Sequence, residues 1–125
     1  MTDPRHAVGV RAEEVAAAWL TSAGWRVLAT RWRCREGELD LVCLDPREAL
    51  VGVEVRARRS ARTGRPEESI DTRRVARLRH ALAAYAAAAR PAHAGRRIDL
   101  VALSPEPRDP LGRWRARRIP AIDGW

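Results

Sequence analysis

The chain contains no lysine. All 24 basic residues are arginine, against 16 acidic ones, which leaves a net charge of +8 over 125 residues and an isoelectric point near 11.3. Arg in place of every Lys, together with abundant Ala, reads as a coding bias. Such a bias creates no surplus over acids by itself, so the excess charge still suits a polyanionic partner, most simply nucleic acid. No run of about 18 apolar residues occurs, so no membrane span is expected. Met1 to His6 lacks the apolar core of a secretory signal. Cys34 and Cys43 form no C-x-x-C and sit near no His cluster, so they read as packing residues of a reduced, cytoplasmic protein. Repeats and interdomain linkers are absent. The expectation is one domain over residues 1–125, with 1–6 and 120–125 as loose tails. A hydrophobic content of 46% supplies a core and argues against disorder.

What is present is clear periodicity. Ala12, Val15, Ala16, Trp19 and Leu20 form one apolar stripe, which predicts a helix over about Ala7–Ser22. Glu13 lies at the edge of that stripe, whereas Glu14 points nearly away from it. Trp19 and Trp25 are expected in the core. Trp25–Thr30 reads as a strand. Gly37–Arg56 then reads as a β-hairpin turned by Asp45-Pro46-Arg47-Glu48-Ala49. Alternation puts Glu38, Asp40, Val42 and Leu44 on one face, with Leu39, Leu41 and Cys43 on the other. If Leu44 pairs with Leu50, Asp40 falls beside Glu54 and Glu38 beside Arg56. Residues 57–65 are a basic, Gly-containing loop, and Pro66–Ile70 a short helical turn. Asp71 or Thr72 caps a second helix whose buried stripe is Val75, Leu78, Leu82, Tyr85 and Ala89. Arg97–Leu103 is the next strand. Within it Asp99 is either a site residue or the partner of a nearby Arg. Arg113–Ile119 is an edge strand with one wet face. The order α-β-β-β-α-β-(β), with a helix between Arg56 and Arg97, predicts a mixed sheet flanked by helices, the α/β class.

Two carboxylates opposed across neighbouring strands repel, and a bound cation is the simplest reward for placing them there. Asp40 and Glu54 supply the hard oxygen donors that Mg²⁺ or Mn²⁺ takes. A cation so held polarises a phosphodiester and lowers the pKa of an attacking water. Arg56, two residues on, is placed to steady developing phosphate charge. Arg33 and Arg35 flank the Trp32 segment, Arg58, Arg59 and Arg62 follow the second hairpin strand, and Arg73 opens the second helix. These six are the expected nucleic-acid contacts.

The motifs Gly9-x-x-Ala12-Glu13-x-x-Ala16, Gly24-Trp25-x-Val27-Leu28, Gly37-Glu38-Leu39-Asp40-Leu41-Val42, Val53-Glu54-Val55-Arg56-x-Arg58, Gly64 and Arg97-Ile98-Asp99-Leu100-Val101 together resemble the YraN family of bacterial proteins. That family has a restriction-endonuclease-like fold similar to archaeal Holliday junction resolvases. The resemblance implies a PD-(D/E)-x-K type metal-dependent endonuclease acting on DNA, including branched DNA. By position it implies Asp40 and Glu54 as metal ligands, Arg56 at the lysine position and Glu13 as an auxiliary acid. The chain departs from the pattern where Ala12 replaces a glycine, Arg56 the catalytic lysine and Arg73 a lysine of the second helix. A homodimer suits cleavage of two strands. Three readings stay open: an endonuclease, a nucleic-acid-binding protein without turnover on the same fold, and an interaction module whose basic surface is compositional.

Overall fold

The computed structural model describes residues 4–57, 70–105 and 113–124. Its elements are α1 (Pro4–Ser22), β1 (Arg26–Cys34), β2 (Gly37–Leu44), β3 (Leu50–Ala57), α2 (Thr72–Ala89), β4 (Arg96–Pro105) and β5 (Trp114–Ile119). The strands form one five-stranded sheet in the order β1-β2-β3-β4-β5. Only the β3–β4 pair is parallel, because α2 carries the chain back to the same end of the sheet between them. The expected α/β class and element order are therefore present. Neither helix is long and apolar enough to cross a membrane.

The two helices cover opposite faces. Ala12, Ala16 and Leu20 of α1 pack with Leu41, Cys43, Val51, Val53, Val101 and Leu103. Leu78, Ala81, Leu82 and Tyr85 of α2 pack with Leu39, Val42, Leu44, Leu50 and Ile98. Gly24, at φ 91°, stops α1 in a Schellman arrangement: Trp25 N–H donates to the Leu20 carbonyl and Gly24 N–H to that of Thr21. Asp71 caps α2 by accepting from Arg74 N–H at 2.7 Å.

Several expectations are corrected. Helix α1 starts at Pro4 rather than Ala7, as proline is well suited to a first helical turn, so residues 4–6 are not a tail. Trp19 is 36% exposed, because α1 seats its small i, i+4, i+8 line of Ala12, Ala16 and Leu20 on the sheet and leaves Trp19 at the rim. Ala89 is exposed at the end of α2, and Ala81 takes its place in the buried stripe. Strand β1 extends through Cys34 and so absorbs most of the expected linker. Residues 120–124 are not loose: Ile122 N–H donates to the Ile98 carbonyl, and the Asp123 carboxylate accepts from Ile98 N–H. The loop expected over 57–65, the turn over 66–70 and the residues Arg58, Arg59, Arg62 and Gly64 lie, apart from Ala57 and Ile70, outside the described residues.

Gly52 of β3 faces the α2-side core, between Leu39 and Ile98. A Cβ there would lie 3.0 Å from Ile98 Cδ1 and 3.2 Å from Leu39 Cδ2. Gly52→Ala is therefore expected to cost about 1–3 kcal/mol by overpacking, read as a lower midpoint in denaturant with an unchanged slope.

Candidate active site

The hairpin register is the expected one from Leu44↔Leu50 to Leu41↔Val53, and backbone pairing stops there. Alternation also fails at this point. Leu39 packs on the α2 side with Val42 and Leu44, whereas Leu41 and Cys43 pack on the α1 side, so the expected grouping of Leu39 with Leu41 is wrong. The neighbouring strand has a matching break: Ala29 and Trp32, three apart, both pack on the α2 side, and Arg31 between them has φ 51°. The β1–β2 register nevertheless runs unbroken through both residues, from Thr30↔Leu41 to Trp32↔Leu39, and the bulge in this ladder lies earlier, between Val27 and Ala29. On β2 the change of face falls at Asp40, one residue past the last β2–β3 pair, Leu41↔Val53.

Asp40 uses its side chain where the ladder has ended. Its Oδ2 accepts from Val55 N–H at 2.8 Å, and its carboxyl shares a hydrogen bond with Glu54. Glu54 is 2% exposed. Arg74 Nε donates to Glu54 Oε2 at 2.8 Å, and an Arg56 guanidinium nitrogen lies 3.9 Å from the same oxygen. Burial, then the hydrogen bond and charge of Glu54, push Asp40 up to about 8. Burial also raises Glu54, but its bonds to Asp40 and Arg74 and the charge of Arg56 outweigh that and hold it low. In this pair of a half-buried Asp40 and a buried Glu54, the proton is thus favoured on Asp40 and the negative charge on Glu54.

Glu13 stands at the edge of this pair. Its carboxylate lies 3.7 Å from Arg31. Burial raises its pKa against the pull of Arg31, and the charges of Glu38 and Glu54 add to the rise. Of the residues expected at the site, Glu13, Asp40 and Glu54 feel one another's charge, and Arg56 lies within ion-pair reach of Glu54. Among the described residues no group of three or more His, Cys, Asp or Glu is placed to hold a metal ion. Glu38 forms its ion pair with Arg33 at 3.4 Å on the edge strand.

Arg74 is the residue that sequence reasoning missed. Arg73 is exposed, while Arg74, one residue on, reaches the buried acid. The signal was present, since Arg74 lies four residues before Leu78 and so extends the buried i, i+4 line of α2. Arg35 is exposed and lines a cavity of about 350 Å³ with Glu36, Gly37, Glu38, Arg74, Arg77 and Leu78, next to the acid pair. Trp32 stacks edge-on against Tyr85 at 5.3 Å, which makes it a packing residue. Both cysteines are free, and burial pushes Cys43 up to about 12.

A second polar cluster lies on the α1 face of the sheet, around Asp99, which pairs with Val53. Asp99 is fully buried and accepts from Arg97 Nε at 2.9 Å, from Arg118 at 2.9 Å and from Ala121 N–H at 2.8 Å. Arg97 also donates to Asp45 at 2.7 Å. Both guanidinium groups lie over Trp25, 5.7 Å and 5.3 Å from its ring centre. Of the two roles expected for Asp99, partner of a nearby Arg is the one found.

The profile described as "Uncharacterised protein family UPF0102" matches residues 12–103, a stretch that contains Glu13, Asp40, Glu54, Arg56 and Arg74. A UPF0102 protein from Beutenbergia cavernae is 46% identical over 100 residues, 79% of this chain and 83% of the relative. One from Mycolicibacterium vanbaalenii is 38% identical over 124 residues, 98% of this chain and 96% of the relative. One from Arthrobacter sp. (strain FB24) is 40% identical over 96 residues, 77% of this chain and 80% of the relative. Over nearly its whole length, and across every element that builds the acid pair, the chain belongs to the UPF0102 family, the YraN family that its motifs resemble.

Proposed function

We propose that this protein is a Mg²⁺- or Mn²⁺-dependent DNA endonuclease whose cation is held by Asp40 and Glu54. The observation that carries the reading is the acid pair itself, a half-buried Asp40 against a buried Glu54. Two carboxylates have been brought together at a break in the sheet, at the cost of one being protonated. A hydrophobic or singly acidic pair would fold as well or better. A divalent cation neutralises the same charge that the proton and Arg74 now neutralise. The donors fit such an ion, as both are hard carboxylate oxygens, and Mg²⁺ commonly takes one or two carboxylates and keeps waters in its other positions. When bound, the ion polarises the phosphodiester and makes a water more acidic.

The remaining roles belong to the chain's own groups. Val55 N–H fixes the orientation of Asp40. Glu13 adds negative charge at the rim and can accept a proton, since its pKa is raised. Arg74 holds Glu54 ionised and in place. Arg56 presents a fixed positive charge toward the scissile phosphate. As an arginine it does not deprotonate, so it acts as an electrostatic group and not as a base. The net charge of +8 supplies the sequence-independent attraction to DNA.

The test is cleavage of linear, single-stranded and four-way-junction DNA with Mg²⁺ or Mn²⁺. Metal-dependent product that chelation abolishes is expected. Arg56 also favours a second reading, a DNA-binding protein without turnover, because it stands where the nuclease pattern has lysine. Arg56→Lys separates the two. If position 56 serves only as a cation, the variant stays within about tenfold of the parent rate. A silent parent and an active lysine variant would establish the second reading.

A further inference from the structure

The register across the last three strands places an unassigned set of arginines in line with the acid pair. Glu54 pairs with Leu100, and Leu100 with Ile119. Two rows further along, Arg56 pairs with Ala102, and Ala102 with Arg117. Beyond that, Ser104 pairs with Arg115. Residues opposite one another in register project from the same face, so Glu54, Arg56, Arg117 and Arg115 share a face of the sheet. The alternation of β5 agrees: Trp114 and Ala116 pack on the α1 side, which turns Arg115 and Arg117 to the other, and both are exposed.

That part of the face is not covered by the apolar stripe of α2, which packs on Leu39, Val42, Leu44, Leu50 and Ile98, toward the opposite end of β3 and β4. The residues between the arginines are small or uncharged: Ala102, Ser104, Leu100 and Ile119. At the start of the line, Arg56 Nε is buried and has no hydrogen-bond partner among the described residues, a donor that awaits an acceptor. With strands roughly 4.8 Å apart and a rise of about 3.4 Å per residue, Arg56 and Arg117 stand about 10 Å apart, and Arg117 and Arg115 about 7 Å.

We propose that Arg56, Arg117 and Arg115 form a phosphate track that carries one DNA strand from the acid pair across β4 to the edge strand β5. The track rests on the DNA reading given above and extends it to residues outside the acid site. Its contacts are to backbone phosphate, so it adds affinity and salt dependence without sequence preference.

The experiment measures duplex DNA affinity by fluorescence anisotropy over a salt series, with chelator present so that no cleavage occurs. The variants are Arg115→Ala with Arg117→Ala, the same pair changed to Lys, and a control, Arg26→Ala with Arg90→Ala, which removes equal charge at the other end of the sheet. Loss of two phosphate contacts is expected to flatten the plot of log affinity against log salt by roughly 1.8. The lysine pair should restore the slope, and the control should leave it unchanged. A track variant that behaves like the control overturns the proposal, as does a control that flattens the plot equally, since the charge would then act diffusely. Parent protein that cleaves DNA while the track variant keeps the full slope sinks the track alone. Parent protein that binds with the predicted slopes and never cleaves sinks the nuclease reading and leaves the track standing.

Discussion

Glu54→Gln is expected to reduce metal-dependent cleavage of DNA by about a thousandfold or more while leaving the protein folded. Gln is nearly isosteric with Glu and can still accept from Arg74 Nε, so the packing around β3 is retained. What disappears is the one ionised carboxylate of the pair. A divalent cation then has only Asp40 as a charged ligand, and the several kcal/mol of charge stabilisation that a bound metal contributes are lost. Arg74 is over a third exposed and can turn its charge to water, so the stability change should stay small. Cleavage that survives Glu54→Gln would place the chemistry elsewhere.

The largest effect on stability is expected at Asp99. This carboxylate is fully buried and collects Arg97, Arg118 and the Ala121 amide. Asp99→Ala strips the partner from Arg97, whose side chain is 15% exposed and cannot reach solvent without leaving Asp45 and Trp25. Removing one partner of a buried pair costs about 3–5 kcal/mol, which for a domain of this size is a fall in Tm of roughly 10–20 °C. The chain following β5 should loosen at the same time, because Ala121 N–H loses its acceptor. Faster amide exchange at Ala121 and Ile122 would report this. A loss below about 1 kcal/mol would mean that Arg97 and Arg118 are satisfied by other groups.

How much of this was legible in the sequence depends on whether local chemistry or long-range packing decided the outcome. The turn at Asp45–Ala49 and the cap at Asp71 were readable, because each is settled by hydrogen bonds within a few residues. The Leu44↔Leu50 register followed from the turn. The break at Asp40 was not readable. Strict alternation is the default for a run such as Gly-Glu-Leu-Asp-Leu-Val, and the matching break at Arg31 lies on another strand. Trp19 was misplaced because a helical wheel ranks residues by hydrophobicity, whereas close packing selected the small Ala12 and Ala16. Arg74 was overlooked for the opposite reason: a charged residue at the end of an apolar stripe looks like solvated surface until a buried acid is found beneath it. Asp123 and Ile122 were assigned to a tail because nothing local reveals that they bond to Ile98. The acid pair itself was legible, since two carboxylates in apolar strands violate the pattern that packing alone would produce.

The shared proton yields the sharpest consequence. The folded protein keeps Asp40 protonated up to about pH 8, whereas the unfolded chain releases that proton in the ordinary carboxylate range. This group therefore lowers stability progressively as the pH rises from about 4 to 8. A cation that occupies the pair must displace the same proton. Mn²⁺ affinity measured by calorimetry at pH 6, 7 and 8, in buffers of different ionisation enthalpy, tests the account at its centre. The predicted result is one proton released per ion bound and an affinity that climbs about tenfold per pH unit, flattening above pH 8, with Asp40→Asn abolishing both. Mn²⁺ binding that is independent of pH and unchanged in Asp40→Asn would contradict it.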